Sequence, residues 1–295
     1  MKNILTVDLE DWFSVEVLNT VIPSDRWEEQ ESVVEKNTLK ILDLFAERGV
    51  TATFFVLGWI ADRYPDLINE VARAGHEVAC HSYYHRMVSS LTPDQFKQDT
   101  DRAISAIVNA CSRIPVGYRS PSWGMKRDMQ WAFDILADFG FEYDSSISPI
   151  KHDIYGDPSV QQSPPLFEIP TTSGKTLIEI PASIVPVFGR VMAVGGGWMR
   201  HYPYWFTRSG ITRLNRAGIP AMIYFHPWEL ERSLFGKGLR DLARGRRGSP
   251  KNWVRQCMSI NTMEKNLPKL LDDFDFVPVM DYIALWKSER RKTQA

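Results

Sequence analysis

The stretch ACHSYYHRM, residues 79–87, places His81 and His85 four positions apart. On a helical turn, side chains at i and i+4 leave the same face, so the pair is a candidate for two ligands of one metal ion. A metal site built for hydrolysis takes about three protein ligands and keeps one position open. The acid-rich segment TVDLEDW offers Asp8, Glu10 and Asp11. In an extended strand alternate residues share a face, so Asp8 and Glu10 should point together while Asp11 opens the following loop. That geometry makes Asp8 the general base and leaves Glu10 or Asp11 as the carboxylate ligand. The reverse assignment, with Glu10 as base, stays open at this stage. Arg119 in YRSPSW would hold the base ionised and oriented. His226 in IYFHPW would protonate a leaving group from the opposite side of the site. These parts suit hydrolysis of an amide or ester.

The elements that must position them alternate between β-rich runs and amphipathic helices. ILTV (4–7), TATFFVL (51–57), EVACHS (77–82), PVGYRSP (115–121), FEYDSSI (141–147), TLIEIPAS (176–183) and PAMIYFHP (220–227) read as strands. Residues 33–48 form a helix stopped by Gly49, and 65–75 a short helix ending at a second glycine. Thr92, Pro93 and Gln95 spell a helix start with a capping box. Further helical patterns occupy 127–139 and 204–217. Strand–helix alternation means a parallel sheet, open or closed into a barrel, with its site at the carboxyl ends of the strands. Asp8, His81, Arg119, Asp144 and His226 all fall at such ends. The loop near 148–166, the glycine run GGGW (195–198) and the basic stretch 240–255 depart from the alternation.

Composition narrows the classes. The chain has 295 residues, 44% of them hydrophobic and 24% charged, with a net charge of −1. That balance gives no general drive toward nucleic acid. No run approaches the ~20 apolar residues of a membrane span. The apolar run at the start is short and broken by acids, and Cys80, Cys111 and Cys257 form no C-x-x-C. Both features point to the cytoplasm. Arg240, Arg244, Arg246, Arg247, Lys251 and Arg255 form a basic cluster suited to peripheral association with an anionic membrane surface.

TVDLEDW, HSYYH, YRSPSW and YFHPWE stand in the order, and at roughly the spacing, of the NodB-homology polysaccharide deacetylases of carbohydrate esterase family four. The chain resembles that family over nearly its whole length, from residue 3 to residue 285. TVDLEDWF, IEIPAS, GGGWMRHYPYW and FHPWEL further resemble the subgroup associated with exosortase and exopolysaccharide loci. The resemblance implies an α/β fold, a distorted (β/α) barrel of about seven parallel strands. It implies a single catalytic domain over 1–295, whose family-specific C-terminal part, from residue 230 onward, packs on the barrel. It also implies a divalent metal, usually Zn²⁺, and removal of N-acetyl groups from a glycan. His81 and His85 match the family's metal histidines, Arg119 the brace of the base, and His226 the general acid. The usual adjacent aspartates are replaced here by DLED. The later aspartate that tunes the acid histidine has no clear counterpart, although Asp144 lies in its region.

Pro121, Trp123 and Trp228 follow motif residues closely and are candidates for the substrate wall, the tryptophans by stacking on sugar; Trp198 is a weaker one. Glu179 in IEIP is either a polar group near the site or a solvated strand position. His76 reads as a helix-end residue, and His152 and His201 as surface residues. Two rival functions share this fold: an allantoinase-like amidohydrolase on a small cyclic amide, and a glycan-binding relic without catalysis. A relic would need neither acid nor base.

Overall fold

The computed structural model describes residues 1–19, 22–151, 155–187, 189–231, 233–234 and 260–294. His152, Cys257 and the basic cluster at 240–255 lie outside the described residues. The strands are β1 (Lys2–Leu9), β2 (Thr53–Val56), β3 (Glu77–Cys80), β4 (Gly117–Tyr118), β5 (Tyr143–Asp144), β6 (Phe167–Pro170), β7 (Thr176–Glu179), β8 (Ile184–Val187), β9 (Arg190–Ala193), β10 (Met222–Phe225) and β11 (Asp275–Val277). The helices are α1 (Val34–Arg48), α2 (Gly58–Arg63), α3 (Pro65–Arg73), α4 (Pro93–Cys111), α5 (Gln130–Asp138), α6 (Gly197–His201), α7 (Tyr204–Arg216), α8 (Ile260–Asp273) and α9 (Val279–Gln294).

One sheet runs β10-β1-β2-β3-β4-β5-β7-β6. Every pairing along it is parallel except that of β6 with β7. β11 also pairs in parallel with the first residues of β1, and β8 and β9 form a separate antiparallel hairpin. This is the mostly parallel α/β architecture that strand–helix alternation demands. Strands buried on both faces read as continuous apolar runs, and TFFV in β2 is buried throughout. Ile41, Leu42 and Phe45 of α1, Ile68 and Val71 of α3, and Phe96, Ala103 and Ile107 of α4 cover the sheet in one core.

Local signals place these helices. Gly49 closes α1 in the left-handed region at φ 59°, a conformation that costs glycine nothing. At α4 the Gln95 N–H donates to Thr92 Oγ1 at 3.3 Å and the Thr92 N–H to Gln95 Oε1 at 3.0 Å, completing the capping box. The elements that the sequence does not announce are β6, the β8–β9 hairpin, β11 and the helices α2, α6, α8 and α9. β6 is an edge strand ending in Pro170 and alternates poorly in burial. β11 is only three residues long and exists through its pairing with β1.

Register aligns the strand ends. Val7 pairs with Phe225, Asp8 with Phe55, Val56 with Cys80, and Cys80 with Tyr118. The residues that follow these strands, Glu10, His81, Arg119 and His226, therefore emerge side by side at one edge of the sheet.

Candidate active site

Asp8, near the end of β1, lies 2.6 Å through Oδ1 from Arg119 Nη1, with both side chains buried. Arg119 also donates from Nη1 to Thr6 Oγ1 at 2.8 Å, from Nε to the Ser145 carbonyl at 3.1 Å and from Nη2 to Ser145 Oγ at 2.9 Å. Its guanidinium carbon sits 4.0 Å from the Phe55 ring centroid and 4.8 Å from that of Trp123. A buried cation is tolerable only when its donors are satisfied in this way. The network locks Asp8 in place.

Beside that pair, one ligand atom each from Glu10, His81 and His85 lie within 4.8 Å of one another, all three residues buried. His81 Nδ1 is 2.8 Å from the Arg119 carbonyl, an acceptor that puts the ring proton on Nδ1 and leaves Nε2 a free lone pair. His85 Nε2 is 2.8 Å from Glu10 Oε2. Burial alone would raise the Glu10 carboxyl, but the charge and hydrogen bond of His85, with His226 and His81 nearby, draw it down to about 2. Burial lowers His81 to about 4, so its imidazole is neutral at physiological pH. Two neutralisable imidazoles and an ionised carboxylate are the donor set of a hydrolytic metal site, and these residues fit a divalent ion.

The histidines are not brought together by a helix. Residues 81–87 form a loop after β3, with Ser82 at φ 61° and His85 at φ 54°. A left-handed backbone at two non-glycine residues costs energy and persists only when the surroundings impose it. Here the Tyr83 N–H donates to Asp99 Oδ2 at 2.7 Å, Arg86 Nη2 to Asp99 Oδ1 at 2.9 Å, and the Tyr83 hydroxyl to Asp62 Oδ2 at 2.7 Å. Gly58 makes room: a Cβ there would fall 2.7 Å from Tyr83 Cδ2.

Of the two carboxylates open as ligand, Glu10 enters the cluster and Asp11 does not. Asp11 Oδ2 accepts from Ser32 Oγ at 2.6 Å and from the Val33 and Val34 N–H groups at 3.0 and 3.3 Å, while Oδ1 accepts from the Trp12 N–H at 2.8 Å. Its acceptors are used at the start of α1, where unpaired N–H groups need an anion.

His226 Nε2 lies 3.8 Å from Asp8 Oδ2 and 3.5 Å from Glu10 Oε1, so Asp8 and Glu10 do share a face. Its side chain keeps 17% exposure, the opening of the site. Burial works against its charge, but Glu229 first, then Glu10 and Asp8, raise it to about 9. The stacking face expected of Trp228 is taken: its ring stacks on His226 at 5.2 Å and 23°, and only 2% of the residue is exposed. Pro121 is buried, and Trp123 packs edge-on against Tyr224 at 4.9 Å. All three are buried, so none offers an open shelf.

Asp144 does not serve His226. It neighbours Glu179, both fully buried; burial and then the charge of Asp144 hold Glu179 well above the usual carboxylate range. Burial likewise raises Asp144 to about 6. The carboxylate at His226 is Glu229, with Arg200 behind it, two residues that the sequence reading passed over although both lie in quoted motifs. His76 is buried between Phe45 and Phe54 and accepts the Ala52 N–H at Nδ1. His201 is exposed.

Strand-end acids, a two-histidine loop and a buried arginine are thus gathered at one edge of a mostly parallel α/β sheet. Residues 27–143 match the family model for polysaccharide deacetylase, and residues 145–284 match a domain of unknown function, DUF3473. The chain thus carries a polysaccharide deacetylase domain of the NodB-homology type followed by DUF3473. The boundary between the two matches falls inside β5, and β10 of the second pairs with β1. A chitooligosaccharide deacetylase of Rhizobium leguminosarum bv. trifolii is 35% identical over 100 residues, 34% of this chain and 44% of the relative. A peptidoglycan-N-acetylglucosamine deacetylase of Bacillus cereus is 28% identical over 97 residues, 32% of this chain and 35% of the relative. The matched region is thus less than half of each of these relatives. A Mycobacterium smegmatis crystal structure, provisionally named a polysaccharide deacetylase, superposes with a TM-score of 0.63 at 20% identity over 98% of this chain and 92% of that one; it shares the fold. No described helix is long and apolar enough to cross a membrane.

Proposed function

We propose that this protein is a metal-dependent deacetylase that removes N-acetyl groups from an amino-sugar-containing polysaccharide or its precursor, in exopolysaccharide biosynthesis. The observation that carries the reading is the convergence of Glu10, His81 and His85 beside the Asp8–Arg119 pair and His226. The relatives' names support the substrate class, and the resemblance of IEIPAS, GGGWMRHYPYW and FHPWEL to the exosortase-associated subgroup supports the biosynthetic setting.

Glu10, His81 and His85 would hold the ion, most naturally Zn²⁺ given two imidazoles and one carboxylate, and when bound it supplies Lewis-acid polarisation of the acetamide carbonyl. Asp8 takes the proton of the attacking water, and Arg119 holds that carboxylate in place. His226 gives a proton from Nε2 to the departing amine. Its 17% exposure makes it the group that meets incoming substrate. An acid and a base at one site are superfluous for binding alone, which favours catalysis over the relic reading.

The test is acetate release from N-acetylated oligosaccharides by chelator-treated protein with and without added Zn²⁺, with cyclic amides as the rival substrates. Activity that survives metal removal, or that appears only on cyclic amides, overturns the proposal. The free thiols Cys80 and Cys111 support a cytoplasmic location, before glycan export. The basic stretch 240–255 would carry the protein to the inner membrane leaflet. Fractionation of the native protein into a secreted pool would refute the location.

A further inference from the structure

Two residues of quoted motifs, Arg200 of GGGWMR and Glu229 of HPWE, have no part in the chemistry so far. Both come from the DUF3473 portion, and they meet behind His226. Glu229 lies in the short helical turn that follows β10 and is fully buried. Its Oε2 accepts the His226 N–H at 3.1 Å, while its Oε1 faces His226 Nδ1 at 3.5 Å. On the far side, Arg200 Nε lies 2.7 Å from the same Oε1, with 3% of its side chain exposed. The Arg200 guanidinium carbon is also 4.9 Å from the ring centroid of Trp228, the ring that stacks on His226.

The glycines explain how Arg200 arrives there. The Gly196 N–H donates to the Tyr224 carbonyl at 2.7 Å, so the run crosses directly over β10. A Cβ on Gly196 would fall 2.2 Å from Tyr224 Cζ, and one on Gly195 would fall 3.0 Å from the Tyr224 backbone nitrogen. Gly196 also sits at φ 64°. Only glycine lets the chain pass so close, and α6 begins at once, carrying Arg200 inward.

We propose that Glu229 is the positioning residue for His226 and that Arg200 holds Glu229 in place, so that the DUF3473 portion completes the deacetylase site. The inference rests on the reading of His226 as the general acid. A carboxylate facing Nδ1 at 3.5 Å, anchored by the His226 N–H on its other oxygen, orients the ring. Nε2 is then the atom that turns toward Asp8 and Glu10, where the leaving group must sit. Arg200 compensates the buried negative charge that this arrangement requires.

The test is a double-mutant cycle on the metal-loaded full chain. Glu229→Gln keeps the size of the side chain and an oxygen for the His226 N–H, but removes the charge facing Nδ1. It should lower kcat by ~10–100-fold with KM unchanged and metal content intact. In a His226→Ala background the same change should cost nothing further. Arg200→Met should reproduce the kcat loss, and Arg200→Lys should recover part of it, since Lys restores the charge without the guanidinium fork. An equal fold loss in both backgrounds would mean that Glu229 serves the fold and not His226, and it overturns the proposal. So does full activity in Glu229→Gln. If His226→Ala itself loses nothing, the acid assignment fails and this inference falls with it. If His226→Ala is crippled while Glu229→Gln is not, only the inference fails.

Discussion

Asp11→Ala and Glu10→Gln separate two carboxylates that stand side by side in the chain. Asp11 accepts four hydrogen bonds, three of them from Ser32, Val33 and Val34 at the start of α1. Losing a capping acceptor costs about 0.5–2 kcal/mol, and each further buried donor left unpaired about 1–3 kcal/mol. Relief from burying a carboxylate works the other way, since burial raises the Asp11 carboxyl to about 6. With that relief subtracted, the net destabilisation is ~2 kcal/mol. For a chain of 295 residues that lowers Tm by about 3 °C. Metal content and turnover well below Tm should stay near wild type. Glu10→Gln should do the reverse, with metal affinity down by well over tenfold and little activity left, because only His81 and His85 remain. Scanning calorimetry at pH 7.5, metal analysis by mass spectrometry and acetate release give the three readouts. An Asp11→Ala protein that loses metal with its Tm unchanged would refute the assignment of this carboxylate to α1.

Asp8→Asn should retain metal and lose nearly all turnover, since the amide cannot take a proton; loss of metal instead would make Asp8 a ligand. His226→Ala should retain metal and lose on the order of 10²–10⁴ in turnover. The acid form of His226 exists below a pKa raised to about 9, so wild-type turnover should fall as pH rises through that value, and His226→Ala should lack this limb. An unchanged pH–rate profile would remove His226 from the reaction. Burial lowers His76 to about 4, so its unfolded form takes up a proton first as pH falls below about 6.5, and the native state loses stability from there down to about 4. Urea midpoints measured across that window should decline less steeply in His76→Gln; identical slopes would show that His76 is not the group responsible.

Much of the architecture was legible because its signals are local. Gly49 after an apolar stripe, the Thr92–Gln95 capping box and the apolar run of β2 act through neighbours a few residues away, and each element formed where those signals lie. Strand period also predicted that Asp8 and Glu10 share a face, and the nearness of both to His226 agrees. Chemistry-bearing residues at strand ends could be named for the same reason: in a parallel sheet, the ends converge whatever the loops do.

Tertiary structure alone decided the rest. The i, i+4 spacing of His81 and His85 suggested a helical turn, yet the residues meet through left-handed backbone at Ser82 and His85 held by Asp99 and Asp62. No local propensity favours that path; α2 and α4 impose it. DLED left Glu10 and Asp11 equivalent, because nothing within the segment says that the amides of Val33 and Val34 will arrive beside one of them. Glu229 and Arg200 sit in quoted motifs without visible purpose, since a carboxylate and a guanidinium become a pair only when the chain crosses β10 at Gly195 and Gly196. Residue type sets what a side chain can do, but for a buried charge the partner decides what it does, and here the partners come from distant segments of the chain.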